Sequence, residues 1–363
     1  EIEKEYLALL HGVPAKPCGT VREPIGRDPA SKTKMAVLPE AKGGREALSD
    51  YEVLYAGPGN RFSLARVAIH TGRTHQVRVH MRHIGHPLVG DTVYKAPHRA
   101  LLPGEKGARQ MLHAWKLAFT HPVSGERLAF TLPPPEDFAT LAASLASPMQ
   151  RIVITGSPGG GKSTLTQALA TAHVPAWSAD DAVKRLYEKG GNGWYVLLRR
   201  YGPRFVPNEN EDVDKKALGA AMRDDESVRR EVEHLIHPLV RHDLDAFWQQ
   251  HEENGEAVAA AEIPLALETG WLKDELLVGV YCPFATRRKR MAETRGWSDE
   301  VIAAMESWQW PEDKKVRAAN LIVDNSGTLQ TMQRRSTNVL HVLEFLRTQQ
   351  RNRAAARFSA LWG

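Results

Sequence analysis

The chain has 363 residues, 42% hydrophobic and 25% charged, the balance of an ordinary globular protein with room for two domains. No run of 18 apolar residues occurs, which excludes a membrane-spanning helix, and residues 1–5 (EIEKE) lack the basic start and apolar core of a signal peptide. The formal net charge is +5, and the whole excess falls before residue 151, where 19 Lys and Arg stand against 14 Asp and Glu. That is a modest sign of a polyanionic partner on that side.

Without a starting methionine the chain reads as a fragment. Cys18 and Cys282 stand far apart with no metal-ligand spacing, which suits two free thiols in a reducing cytoplasm. In chain order, residues 6–10 (YLALL) read as a strand entering a turn at His11 and Gly12. Residues 13–44, rich in Pro, Gly, Lys and Ser, read as a long surface connection. Residues 52–55 and 63–70 alternate as strands around the hairpin signal GPGN at 57–60. Thr74 is placed to cap a helix on which His75, Arg78 and Arg82 share one basic face while Val77 and Met81 face inward. From the residues alone, that face is either solvated or a contact to a phosphate backbone. Residues 112–119 and 127–131 supply later strands, residues 138–145 a short helix, and residues 142–150 a linker.

TGRTHQVRVHMRHIGHPLVGDTVY (residues 71–94) closely resembles the signature of RluA-type pseudouridine synthases, and LHAWKLAFTHPVSGERLAFTLPPPEDF (112–138) resembles their C-terminal stretch. The resemblance implies an α+β partial domain over residues 1–141 that faces RNA. Tyr6 would pack on the target uracil, and Arg73 and Arg78 would belong to the remnant site. In that family an aspartate, in a motif like H-R-L-D, lies tens of residues before the tyrosine. The sequence begins at Glu1, so the resemblance implies an incomplete unit that binds RNA weakly, makes no pseudouridine and leaves Arg78 without its counter-ion.

The strongest motif follows. GSPGGGKS at residues 156–163 fits G-x-x-x-x-G-K-[ST], after an apolar β-branched run (151–155) and before a helical segment (164–172). Glycines allow the close backbone approach that lets successive N–H groups cradle a polyphosphate at a helix N-terminus. By that analogy Gly156, Ser157, Pro158, Gly159, Gly160, Gly161, Lys162, Ser163 and Thr164 bind a nucleoside triphosphate, with Lys162 on the β/γ-phosphates and the Ser163 hydroxyl on Mg²⁺. Asp180, after the short run 174–177, stands where ligands bind at strand ends of open α/β sheets. It is either a general base or Mg²⁺ ligand, or a helix cap. Further strands read at 257–261, 276–282 and 321–323, giving a parallel P-loop αβα sandwich. Arg287, Arg288, Lys289, Arg290 and Arg295 read as a basic lid or as a solvated helix face. Residues 334–349 form an amphipathic helix, and residues 347–363 a loose tail.

SADDAVKRLYEKG (178–190), VEHLIHPLV (232–240), EIPLALETG (262–270), RKRMAETRGWSDE (288–300) and AANLIVDNSGTL (318–329) resemble dephospho-CoA kinase in order and spacing. The resemblance covers residues 151–346. It implies transfer of the ATP γ-phosphate to the ribose 3′-hydroxyl of dephospho-CoA, with Asp180 as base and Arg290 and Arg295 near the phosphates. Asn325 would lie beside the adenine, while His237, Pro238 and Glu268 would serve the dephospho-CoA side. Ser178 and Glu262 stand where that family has aspartates. A nucleoside monophosphate kinase would share loop and lid, and an RNA-binding module with a regulatory P-loop is a rival of another class.

Overall fold

The computed structural model describes residues 2–31, 33–95, 101–102 and 104–362. Glu1 and Gly363, the outer limits of the expected first domain and tail, lie outside them. The chain divides into two units, one of Glu1–Pro148, Glu253–Gly255 and Leu346–Gly363, the other of Met149–Glu252 and Glu256–Phe345.

The first unit is built on a six-stranded antiparallel sheet. Its strands are β1 (Ile2–His11), β2 (Cys18–Val21), β5 (Ser49–Ala56), β6 (Phe62–Ile69), β7 (Leu112–Thr120) and β8 (Arg127–Thr131), in the order β2-β5-β6-β1-β7-β8. A separate pair, β3 (Ile25–Arg27) and β4 (Met35–Val37), and the strand β2 occupy a stretch expected to be plain connection. β1 is paired on both edges and covered on both faces, which explains its unbroken LALL. Leu7 and Leu9 enter a cluster with Phe62, Leu64, Phe138 and Leu141, while Ala8 and Leu10 enter another with Val67, Val77 and Met81. Phe138 and Leu141 lie on α2 (Glu136–Ala146).

α1 (Gln76–His83) begins after His75, whose left-handed backbone (φ 58°) serves as the N-cap position; Thr74 is not the cap. The entry is fixed by the Gln76 amide instead. Its Oε1 accepts from Arg73 N and Thr71 Oγ1, each at 2.9 Å, and its Nε2 donates to Leu48 O at 2.9 Å and Ser49 Oγ at 3.0 Å. A buried amide with every bond made is a register pin.

The expected loose tail is helical. α11 runs from Leu329 to Trp362 without a break; its residues 346–362 belong to the first unit, where Ala354, Phe358 and Trp362 complete the cluster around Phe138. Their spacing of four puts them on one face, and Trp115 Nε1 donates to Trp362 O at 3.2 Å.

The second unit holds a parallel sheet of β9 (Gln150–Thr155), β10 (Ala176–Ser178), β11 (Val258–Glu262), β12 (Leu276–Tyr281) and β13 (Leu321–Asp324), ordered β10-β11-β9-β12-β13. α3 (Lys162–Thr171) follows β9, α4 (Ala179–Tyr187) follows β10, and α8 (Phe284–Arg295) follows β12. The helical side also contains α5 (Asn192–Tyr201), α6 (Lys215–Asp224) and α7 (Glu226–Glu253), and the segment before β13 contains α9 (Asp299–Ser307) and α10 (Glu312–Ala318). α7 is one helix of 28 residues with Pro238 inside it. Val228, Val232, Ile236, Val240, Leu244 and Trp248 recur every fourth residue along its buried face, and that continuous apolar stripe outweighs the hydrogen bond lost at the proline. Among the described residues no helix is long and apolar enough to cross a membrane.

Candidate active site

The carboxyl ends of the parallel strands converge, as the arrangement of an open α/β sheet requires. β9 ends in the glycine-rich loop, β10 leads to Asp180, β11 ends at Glu262 and β13 leads to Asn325. Between them lies a cavity of about 630 Å³ lined by Pro158, Gly159, Gly161, Lys162, Ser163, Thr164, Asp180, Glu262, Pro264, Arg290, Met291, Thr294, Arg295, Trp297, Met305, Gln309, Asn325 and Leu329.

The loop demands its glycines. Gly161 has φ +96°, and a β-carbon there would stand 2.1 Å from Asn325 Nδ2. Gly159 has φ +71° and packs against α8, with Met291 Cγ 2.9 Å and Arg287 O 3.0 Å from where a β-carbon would be. The first turn of α3 starts at Lys162 and Ser163, whose N–H groups precede the helix's own acceptors, while Thr164 N donates back to Gly161 O at 3.1 Å. Lys162 is only 8% exposed, and its Nζ donates to Gly156 O at 3.0 Å and Ser157 O at 3.2 Å. Burial pushes its ammonium down to about 8, against the opposing pull of Glu262. Burial likewise raises the Glu262 carboxyl, while Lys162 and the Thr166 hydroxyl, 3.1 Å from Oε2, draw it back.

Asp180 lies in the first turn of α4, but Ser178 is the cap, its hydroxyl accepting from Asp181 N at 3.4 Å. Asp180 is thereby left to face the cavity. Ser163, Asp180 and Glu262 bring a hydroxyl and two carboxylates to one space, a hard-oxygen set that fits a small divalent cation keeping part of its water shell.

Arg290 and Arg295 both line the cavity, but differently. Arg290 Nη2 donates to Asn325 O at 3.1 Å and Gly327 O at 3.3 Å, and Nη1 reaches Cys282 Sγ at 3.4 Å. Arg295 is exposed, its guanidinium 4.9 Å from the Trp297 ring centre. Asn325 is 6% exposed, and its Nδ2 holds Gly160 O at 2.9 Å. The sequence reading places it beside a base; its amide is committed to the phosphate loop.

His237, Pro238 and Glu268 are not among the residues lining this cavity. His237 packs edge-on to Trp271 at 5.8 Å, and burial holds its imidazole below the usual range. Glu268 Oε1 accepts from Trp310 N at 2.6 Å and pairs with the buried Lys315 at 3.1 Å. Sequence reasoning passed over Glu262 as a site residue, treating it as a substitution. It also passed over Lys315, which donates to Pro264 O at 2.9 Å and Gln309 Oε1 at 2.7 Å. Glu262 was visible as the carboxylate ending a strand; Lys315 carried no local signal.

In the first unit Tyr6 is half-buried on β1, opposite Val67 and Ala114. Arg73 Nε donates to Glu46 O at 2.8 Å. Arg78 does have a counter-ion, which corrects the sequence reading: Asp91 takes its Nε at 2.7 Å and Nη2 at 2.8 Å, with the guanidinium 4.7 Å over the Tyr94 ring. Burial pulls the Asp91 carboxyl upward, but these bonds and the Tyr94 and Val93 amides overcome it and hold it below its ordinary value.

The family description "Dephospho-CoA kinase" matches residues 151–331, and "RNA pseudouridylate synthase" matches residues 1–83. The dephospho-CoA kinase of Mesorhizobium japonicum is 36% identical over 178 residues, which cover 49% of this chain and 88% of that protein. An uncharacterized RNA pseudouridine synthase of Chlorobaculum parvum is 38% identical over 161 residues, 41% of this chain and 49% of that protein. One from Synechocystis is 42% identical over 142 residues, 39% of this chain and 41% of that protein. The chain thus spans about half or less of the length of these two pseudouridine synthases.

Proposed function

We propose that this chain, which belongs to the dephospho-CoA kinase family, transfers the γ-phosphoryl group of ATP to the ribose 3′-hydroxyl of dephospho-CoA, releasing ADP and coenzyme A. The carrying observation is the convergence of the loop, Lys162, Asp180 and Arg295 on one cavity. Phosphoryl transfer asks for positioning and charge stabilisation more than for covalent help. The loop N–H groups and Lys162 hold the β- and γ-phosphates, and Arg295, exposed and facing the cavity, meets the charge of the transferred group. Ser163 would hold Mg²⁺, which supplies charge neutralisation on the phosphates. Asp180 orients the acceptor hydroxyl and takes its proton as the new P–O bond forms and the bond to the ADP oxygen breaks. Replacing Asp180 with Asn keeps the shape and removes the base. The expected result is a fall in kcat of about a hundredfold or more with dephospho-CoA and ATP still bound, measured by coupled ADP release and by calorimetry. An unchanged kcat would remove Asp180 from this role.

The lowered Lys162 ammonium also gives a pH dependence. A bound triphosphate favours the charged form, so the free protein must take up a proton on binding once the pH exceeds about 8. Affinity for ATP is therefore expected to weaken by up to about tenfold per unit above that value, seen by comparing calorimetric titrations at pH 7 and pH 9. Equal affinities would mean that Lys162 does not contact the phosphates.

The match over residues 1–83 supports a second reading for the N-terminal region: residues 1–141 contact RNA without isomerising uridine. The motivating contact is the bidentate Arg78–Asp91 pair, which already occupies the arginine that the resemblance assigns to a catalytic carboxylate. Tritium release from uridine-labelled RNA would contradict this. An RNA gel shift whose salt dependence is insensitive to changes in the N-terminal basic residues would remove RNA contact altogether.

A further inference from the structure

Arg287 reads in the sequence as one of several lid cations. The structure turns it inward: it is 2% exposed and is not part of the cavity lining. Its Nε donates to Cys282 O at 2.9 Å, at the end of β12. Its Nη1 donates to Pro158 O at 3.2 Å and to Glu306 Oε1 at 2.5 Å, and its Nη2 reaches Glu306 Oε2 at 3.3 Å and Glu312 Oε2 at 3.5 Å. One planar fork therefore ties together a strand end, the tip of the phosphate loop, α9 and α10. A lysine has the charge but not the fork.

The partners matter for the chemistry. Pro158 lines the cavity, and Glu306 lies in sequence between Met305 and Gln309, which line it too. The guanidinium thus ties the loop to the segment that carries α9 and α10. One turn along α8, Arg290 faces the cavity and holds the Asn325 carbonyl, so the orientation of α8 sets both contacts.

We infer that Arg287 is a positioning residue for phosphoryl transfer, setting the phosphate loop against the α9–α10 segment through Pro158 and Glu306 without touching substrate. The inference rests on the kinase reading above for its catalytic consequence, but its effect on nucleotide binding is independent of that reading.

The test compares the full chain with Arg287→Lys, Glu306→Gln and the double variant, using steady-state kinetics with Mg-ATP and dephospho-CoA, ATP binding by calorimetry, and thermal melting. Each single variant is expected to lower kcat about tenfold or more and to weaken ATP binding, while KM for dephospho-CoA stays within about twofold. The double variant should be no worse than the more damaged single variant, since both break one link. A lowered melting temperature with kcat and ATP affinity unchanged below it would overturn the inference, as would losses that multiply in the double variant. If Arg287→Lys does not fold, Glu306→Gln, altering a partly exposed side chain, carries the same comparison. If the parent protein makes no coenzyme A, the kinase reading fails while the ATP-binding arm still decides whether Arg287 sets the loop.

Discussion

Replacing Lys162 with alanine is expected to slow phosphoryl transfer by about a thousandfold, the scale set by removing one preorganised charge-stabilising donor from a water-poor site. The side chain is buried against the carbonyls of Gly156 and Ser157, inside the loop whose backbone cradles the phosphates. No other lysine or arginine among the cavity-lining residues stands within the loop, and Arg290 is engaged by the Asn325 and Gly327 carbonyls. Arg290 would have to give up those bonds to take over, and Arg295, exposed at the end of α8, stands outside the loop. The charge developing on the transferred group would then lack the buried ammonium inside the loop, and bound water is a poor substitute because it must reorient as charge develops. The check is kcat from ADP release under saturating substrates, with circular dichroism to show that the fold persists. A loss of less than tenfold would show that the loop works without its lysine.

The second large effect lies in the other unit. Phe358 is 1% exposed, stacked on Trp362 at 5.3 Å and edge-on to Tyr55 at 5.0 Å. Phe358→Ala removes a whole ring from the cluster that also holds Phe62 and Phe138, and such truncations cost about 3–5 kcal/mol because the cavity left behind collapses only partly. Against the usual margin of about 5–15 kcal/mol for a domain, that is a large share. Amide hydrogen exchange should accelerate throughout β1, β6 and α2 of the first unit. Unchanged protection in those elements would mean that the last turns of α11 are not part of that core.

What the sequence made legible follows from how local each feature is. The phosphate loop is written in consecutive residues because its backbone angles admit only glycine at positions such as Gly161. Asp180 is legible because strand ends in a parallel sheet face one crevice. Arg287 is not, since the same basic run suits a solvated face, a lid or a buried hub. Only Glu306 and Glu312, 19 and 25 residues on, decide among them. Asp91 is not legible as the partner of Arg78 for a similar reason: the resemblance points to a carboxylate elsewhere, whereas the turn at Asp91–Tyr94 brings this one back to α1. The C-terminal helix is a different case. Ala354, Phe358 and Trp362 recur at spacings of four, and residues 329–362 contain neither glycine nor proline. The helix itself was readable; its burial was not, because the covering surface comes from residues more than 200 positions earlier.

In the proposed reaction the loop and Asp180 deliver a phosphoryl group to a ribose hydroxyl and not to water or a phosphate. The direct measurement is ³¹P NMR with mass spectrometry of the products when the purified full chain is given Mg-ATP with dephospho-CoA, and in parallel with AMP, CMP and UMP. Equal amounts of ADP and coenzyme A are expected, with the new signal that of a ribose 3′-phosphate monoester and the monophosphates recovered unchanged. ADP formed with dephospho-CoA left intact, or a nucleoside diphosphate produced from a monophosphate at comparable rate, would contradict it.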